Sequence, residues 1–263
     1  MNAIAQRLKS RVRDGLYRWD LIRFLASGLW SAVHPEIRYR TDHLWLFREE
    51  LTMGPVQRDE ALLLFALTKI QRPQVIVEFG FHYGHSAFNF LQAMPSTSKL
   101  YSYDIDETAR QIALSRFRRF PNFQFLHKSQ ADFCVADIGN QLIDLCFLDA
   151  SHNLEINKVT FRKLEASLAP GAVIVVHDTG TWVKDFFRPI QAELASECRD
   201  RWLNENEFQP CKEEREFVNW VLANCPGFSE IHLHSKRTLR NGFTLIQRTQ
   251  PLPTGPTTLT GLG

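Results

Sequence analysis

The central part of the chain alternates short apolar runs with longer segments in which apolar residues recur every three or four positions. The apolar runs predict strands at 74–79, 99–105, 122–127, 143–149 and 172–178. The periodic segments predict helices at 59–70, 86–94, 107–120, 130–138 and 154–168. Pro170 and Gly171 predict a turn that ends the last of these helices and starts the fifth strand. This alternation is typical of a parallel sheet with helices on both faces.

Both ends of the chain depart from this alternation. Residues 2–47 show helical spacing that Pro35 interrupts, and 181–201 and 212–224 also predict helices. A short polar link joins segments 229–235 and 242–249, which predicts an antiparallel hairpin. We therefore predict an α/β, Rossmann-like, doubly wound seven-stranded sheet with a C-terminal antiparallel hairpin and an N-terminal helical extension. The predicted units are an N-terminal lid or interface at 1–55, a ligand-binding domain at 56–249 and a disordered tail at 250–263.

Charge and cysteine content restrict the class of protein. The net charge of +2 over 263 residues gives no reason to expect a nucleic-acid partner. Residues 1–23 carry six basic and two acidic side chains, so this segment is +4 and the remainder −2. It could contact an anionic membrane surface weakly, or simply form a solvated helix face. The five cysteines lack C-x-x-C spacing, which argues against a zinc site and fits a reducing cytoplasm. The apolar run at 24–33 is too short to span a bilayer, so a soluble protein is expected.

The first central strand leads into a glycine loop and then into a helix. Glu78 ends the strand, Gly80 and Gly84 permit a sharp turn close to a ligand, and Ser86 starts the helix, where amide donors are free. A nucleotide-like ligand binds at this point of a doubly wound sheet. The spacing E-x-G-x-x-x-G-x-S lacks the third glycine of a dinucleotide fingerprint, because position 82 is histidine. The alternative is a purely structural turn between strand and helix.

Polar residues also follow the second and third strands. Asp104 could accept hydrogen bonds from both hydroxyls of a ribose, whereas Asp106 is better placed to cap the next helix. Ser129 and Gln130 follow the third strand and offer donors and acceptors to the edge of an adenine. An ordinary helix start, with Ser129 as its cap, explains these two residues equally well.

Acidic residues end the fourth and fifth strands. Neighbouring parallel strands lie about 4.8 Å apart, so Asp149 and Asp178 could share one ion. Their oxygens suit Mg²⁺. Either His177 or Thr179 could complete the ligand set, and a histidine ligand would suggest a softer metal. In the alternative, one acid binds an amine of the cofactor and the other caps a helix.

His152 lies three residues after Asp149, at the edge of the same crevice. An imidazole can accept a hydroxyl proton near neutral pH, so His152 is the candidate general base. A histidine in a turn often has no catalytic role, which is the alternative.

Taken in order, these residues resemble the metal-dependent O-methyltransferases of class I, which use S-adenosylmethionine (SAM). The nearest are catechol O-methyltransferase-like enzymes and related sugar- and antibiotic-modifying methyltransferases. The resemblance covers about residues 52–249 and includes Met53, in a loop expected over the cofactor. The catechol-type Asp-Asn pair is replaced here by His177-Asp178-Thr179, so the ligand set stays open. Residues 1–51 match no motif of these enzymes.

The resemblance implies a role for each candidate residue. Residues expected to bind SAM are Met53, Glu78, Gly80, Tyr83, Gly84, Ser86, Asp104, Ser129, Gln130 and Asp149; the metal ligands are Asp149, His177 and Asp178; the base is His152.

The expected reaction is Mg²⁺-assisted O-methylation of a small-molecule hydroxyl (a sugar, phenol or natural product). A homo-oligomer is also expected, with the N-terminal helices as interface. Alternatives are a metal-independent SAM methyltransferase acting on O, N or C, or a SAM-binding protein without catalysis. A nicotinamide oxidoreductase is disfavoured by the missing glycine.

Overall fold

The computed structural model describes residues 43, 56, 58–179, 211–233 and 242–249. The α-helices among these residues are α1 (Arg58–Gln71), α2 (His85–Ala93), α3 (Glu107–Ile112), α4 (Leu154–Glu165) and α5 (Cys211–Asn224). The strands are β1 (Val75–Phe79), β2 (Lys99–Asp104), β3 (Phe123–His127), β4 (Ile143–Leu148), β5 (Leu168–His177), β6 (Phe228–Leu233) and β7 (Phe243–Arg248). The predicted helix at 181–201, almost all of the extension at 1–55 and the tail at 250–263 lie outside the described residues.

The strands form one seven-stranded sheet in the order β3-β2-β1-β4-β5-β7-β6. β1 to β5 pair in parallel, whereas β7 runs antiparallel to both β5 and β6. The predicted α/β fold with a C-terminal hairpin is therefore confirmed. The strand order reverses between β1 and β4, and ligands of doubly wound sheets bind at the carboxyl ends of the strands at such a point.

The sheet is covered on both faces, as its apolar strands require. On one face Val77 and Cys146 pack with Phe161 of α4 and Phe217 of α5. On the other face α1, α2 and α3 cover a core that includes Ile76, Leu100, Leu145 and Phe147, joined by Leu64, Phe90 and Ala109 from the helices. No helix among the described residues is long and apolar enough to cross a membrane.

Three predicted elements are wrong in detail. The helix predicted at 130–138 is two short 3₁₀ segments, Gln130–Asp132 and Val135–Ile138. Phe133 between them has extended ψ and is buried in the core, which prevents a continuous helix.

The predicted turn at Pro170 and Gly171 is instead a bulge inside β5. The pairing with β4 shifts between Ile143 and Leu145, and Gly171 adopts φ +76°. The predicted helix at 107–120 is also interrupted, since a π-helical turn follows α3 at Ala113–Phe117.

Candidate functional site

The glycine loop is fixed by main-chain contacts to the strands on either side. The Gly80 amide donates to the Tyr103 carbonyl of β2 at 3.0 Å, and the Asp149 amide donates to the Phe79 carbonyl at 2.9 Å. Gly80 has φ +99°, and a Cβ there would lie 2.2 Å from the Asp149 carbonyl oxygen. Glycine is therefore required at position 80 because the backbones of two strand ends meet there.

Gly84 is required by packing on the helical side of the loop. Its φ is +77°, and a Cβ would lie 2.6 Å from the ring of Phe81 and 2.7 Å from the ring of Phe117. Ser86, in the first turn of α2, is buried, whereas Tyr83 is 48% exposed. Met53 lies outside the described residues.

Asp104, at the end of β2, holds the loop with both carboxylate oxygens. Oδ2 accepts the His82 amide at 2.8 Å, and Oδ1 accepts the Asp106 amide at 2.9 Å. Each oxygen retains a second lone pair for a ligand hydroxyl. Asp106 accepts the Thr108 amide at 2.7 Å and caps α3, which is the role predicted for it.

Glu78 is fully buried beneath the loop. It accepts a short hydrogen bond from the Ser102 hydroxyl, and within the described residues its Oε1 has no hydrogen-bond partner. Burial raises the pKa of Glu78 to about 7, against the opposing hydrogen bonds from Ser102 and Ser86. Any contact of this carboxylate with a cofactor stays a prediction.

Ser129 and Gln130 both make structural contacts. Ser129 accepts the Ala131 amide at 3.2 Å, as the capping alternative predicted. Gln130 is buried; its amide nitrogen donates to Asn157 and Thr160 of α4, and its oxygen accepts the Ser151 amide at 3.1 Å. Gln130 thus anchors the loop that follows β4, and its adenine contact stays a prediction.

The three predicted metal ligands converge at the ends of β4 and β5. Asp149, His177 and Asp178 each offer one ligand atom, and these atoms lie within 4.8 Å of one another. His177 Nδ1 lies 2.8 Å from Asp149 Oδ1 and 3.3 Å from Asp178 Oδ1. Asp178 has φ +57°, a left-handed conformation that aspartate tolerates and that ends β5.

A third acidic residue, Glu60 of α1, reaches this cluster from the opposite side of the imidazole. Its Oε1 lies 3.3 Å from His177 Nε2, and both side chains are buried. Burial lowers the pKa of His177, but the three carboxylates Asp149, Asp178 and Glu60 outweigh it and hold this pKa well above its ordinary value. The cluster is therefore a buried, negatively charged site, which suits a cation.

The concentration of negative charge in this buried site also changes the pKa of Asp178. Burial raises its pKa to about 6; His177 opposes this rise, while Asp149 adds to it. Within the described residues, Asp178 Oδ1 is buried without a hydrogen bond. An oxygen in this state is available to a ligand that enters the site.

His152 lies beside this cluster and contacts a second residue that the sequence did not single out. Its Nδ1 forms a short hydrogen bond with the Glu214 carboxylate of α5 and lies 3.9 Å from Asp178 Oδ2. The side chain of His152 is 53% exposed, whereas that of Glu214 is 4% exposed. The bond to Glu214 raises the pKa of His152 to about 9, against the effect of burial.

A separate cavity of about 750 Å³ opens beside the glycine loop. Its described lining includes Tyr83, Gly84, Arg116 and Phe120, and none of the residues of the acidic cluster. We place the functional site at the cluster, because reactive groups converge there and cavity volume alone does not indicate chemistry.

Comparison with known proteins finds one matching family model and one similar curated sequence. Residues 77–179 match the family model described as "Methyltransferase domain". A protein of Sinorhizobium fredii, "Uncharacterized protein y4gI", is 29% identical over 121 residues, which are 41% of this chain but only 13% of that protein.

Two solved structures share the fold. The Bacillus cereus O-methyltransferase in complex with S-adenosylhomocysteine (SAH) superimposes with a TM-score of 0.55 at 20% identity, covering 75% of this chain and 84% of that one. TomG of Streptomyces achromogenes, an O-methyltransferase of tomaymycin synthesis in complex with SAM, gives 0.52 at 18% identity, covering 74% and 82%.

Residues 77–179 therefore match a methyltransferase-domain model, and the described residues share the fold of these two O-methyltransferase structures. The resemblance found in the sequence is confirmed at this level.

Proposed function

We propose that the protein is a SAM-dependent methyltransferase that methylates a small-molecule hydroxyl with the help of a divalent metal ion, Mg²⁺ or a softer ion. The observation that carries this proposal is the convergence of Asp149, His177 and Asp178 at the ends of β4 and β5, beside the switch point of the sheet and the glycine loop.

The loop and β2 fit SAM better than a dinucleotide. The loop carries two glycines, both held by protein contacts, and Asp104 follows β2 with lone pairs free for ribose hydroxyls. The Bacillus and Streptomyces structures of this fold contain SAH and SAM. SAM brings a sulfonium and no pyrophosphate, so it needs no third glycine.

The cluster also fits a divalent cation. Asp149 and Asp178 supply hard oxygen donors, and Asp178 Oδ1 is buried without a hydrogen-bond donor among the described residues. His177 would supply a nitrogen donor once the entering ion displaces its proton. A bound ion would lower the pKa of an acceptor hydroxyl and orient it.

The residues of the chain then perform the remaining steps. The loops after β1 and β2 would hold SAM, and the acidic cluster would orient the acceptor oxygen. The hydroxyl proton passes to His152 in its neutral form, which the raised pKa of about 9 makes the minor form at neutral pH, while the oxygen forms a bond to the methyl carbon. The carbon–sulfur bond breaks, its electron pair stays on sulfur, and SAH leaves with the methylated product. Positioning supplies most of the rate gain in such an in-line transfer.

One observation favours a metal-independent methyltransferase as the second candidate. His177 Nδ1 lies within 3.3 Å of both aspartates, so a protonated imidazole could hold the acids together without an ion. The acceptor would then depend on His152 alone for activation.

SAH release separates the candidates. We would assay the protein with SAM and three acceptors, 3,4-dihydroxybenzoate, quercetin and rhamnose, before and after EDTA and after added Mg²⁺ or Mn²⁺. Metal-restored turnover supports the proposal, and turnover that survives complete chelation supports the second candidate. Calorimetry that shows no SAM binding would exclude both. The cytoplasmic location, the homo-oligomer and the weak membrane contact of residues 1–23 stay predictions.

A further inference from the structure

Helix α5 begins with two adjacent glutamates that both reach the loop after β4. Glu213 Oε2 accepts the amide of Leu154 at 2.7 Å, at the start of α4. Glu214 bonds the ring of His152. The two residues thus secure the segment 152–154 from a helix that lies about sixty residues further along the chain.

The bond from Glu214 determines which nitrogen of His152 is available. A carboxylate is an acceptor, so Nδ1 must carry the proton in this bond. Within the described residues, Nε2 has no hydrogen bond, and the ring lies beside the cluster with Nδ1 3.9 Å from Asp178 Oδ2. The neutral ring therefore has its lone pair on Nε2, the nitrogen that can accept a proton.

Among the described residues, the hydrogen bond to His152 is the main contact of the Glu214 side chain. It is buried, and within the described residues its second oxygen, Oε2, has no hydrogen-bond partner. A buried carboxylate is costly unless it is paired, and His152 is its hydrogen-bond partner here. Such a contact is more easily explained by a need to orient His152 than by a need for stability.

We propose that Glu214 is a positioning residue for methyl transfer: it holds the His152 ring and fixes its proton on Nδ1, so that Nε2 keeps the lone pair that accepts the hydroxyl proton. This inference rests on the proposed function. Glu214 does not touch the acceptor or the cofactor in this role, and it acts through His152, in the same way that a carboxylate orients the histidine of a hydrolase triad.

The first test needs no acceptor. In ¹⁵N-histidine-labelled protein, nitrogen shifts are followed through the titration of His152. The wild-type neutral ring is expected to carry its proton on Nδ1. Glu214→Gln keeps the size of the side chain but offers an amide that can donate to Nδ1, so the proton is expected on Nε2. Identical ring spectra in the two proteins would overturn the proposal.

The second test is kinetic and uses whichever of the three acceptors named above is turned over best. Glu214→Gln should lower kcat by about 10- to 1,000-fold and leave KM for the acceptor within about threefold, because the proton lies on the wrong nitrogen. In a His152→Ala background the same change should have no further effect. Glu155→Gln, on the exposed face of α4 where Glu155 pairs with Lys158, is the control and should keep kcat within about threefold.

The outcomes are distinguishable. An equal loss from Glu214→Gln with and without His152 would show a merely structural role and overturn the inference. Thermal melts of each variant separate misfolding from loss of positioning. If wild-type protein turns over none of the acceptors, the proposed function loses its support, while the nitrogen shifts still decide whether Glu214 fixes the ring.

Discussion

The main chains of Gly80 and Asp149 meet so closely that a single methyl group cannot fit between them. A Cβ on Gly80 would lie 2.2 Å from the Asp149 carbonyl oxygen and 2.7 Å from its carbonyl carbon. The glycine loop and the first residue after β4 are therefore one unit. A change at residue 80 moves Asp149, and with it the acidic cluster.

Gly80→Ala should consequently destabilise the protein far more than its backbone conformation alone requires. Gly139 is the matched control, because it also has positive φ, at +66°, but a Cβ there meets nothing within 4 Å. Gly139→Ala should cost about 1 kcal/mol in unfolding free energy, and Gly80→Ala about 4 kcal/mol or more. Urea denaturation measures both. Equal losses of unfolding free energy in the two variants would show that the backbone around Gly80 and Asp149 adjusts to the added methyl group at little cost.

Residues at strand ends could be predicted from the sequence because parallel strands bring their carboxyl ends to one edge. Asp104, Asp149 and Asp178 lie where alternation of strands and helices placed them. The same pattern could not show that Gly80 contacts protein, since a glycine beside a ligand and a glycine beside another backbone look identical in sequence.

The sequence did not reveal the acidic residues that reach the site from helices, and the reason is different. Glu60 and Glu214 each lie in the first turn of a helix, where acidic residues are common because they stabilise the helix dipole. Nothing local distinguishes a glutamate that also bonds a histidine more than sixty residues away. Gln130 shows the opposite error. Its polar side chain suggested a contact with a ligand, but it forms hydrogen bonds with Asn157, Thr160 and Ser151.

Asp104→Ala should weaken SAH binding. Hydrogen bonds to a charged acceptor contribute about 1.5–3 kcal/mol, so calorimetry should show a Kd about 10- to 150-fold higher. Asp106→Ala is the control, because Asp106 caps α3 through Thr108 and should change stability but not SAH affinity. If the two variants bind SAH equally well, the ribose acid lies elsewhere.

Glu78 should make stability depend on pH. Its pKa in the folded protein is about 7, above the ordinary 4.5, so it favours folding fully below about pH 4.5 and this contribution is lost as pH rises through 7. Each tenfold change in proton affinity is worth about 1.36 kcal/mol, so the loss is about 3 kcal/mol. Glu78→Gln should abolish it. Urea melts from pH 5 to 8 measure the slope, with Glu155→Gln on the exposed face of α4 as control. If the unfolding free energy of Glu78→Gln varies with pH as steeply as that of the wild type, other groups cause the pH dependence.

Asp178→Asn should remove metal binding while SAH still binds. The change keeps the shape of the side chain but takes away the anionic oxygen of a buried residue whose Oδ1 has no hydrogen bond among the described residues. Affinity for Mn²⁺, followed by electron paramagnetic resonance as a stand-in for Mg²⁺, should fall by about 100-fold or more, since a buried cation depends on its charged oxygen ligands. Asp144→Asn is the control, because Asp144 also belongs to the β4–β5 region but accepts the amides of Gln74 and Val75 at the opposite end of the sheet. Mn²⁺ affinity that is unchanged in Asp178→Asn would place the ion away from β5 and leave His177 as an internal partner of the two aspartates.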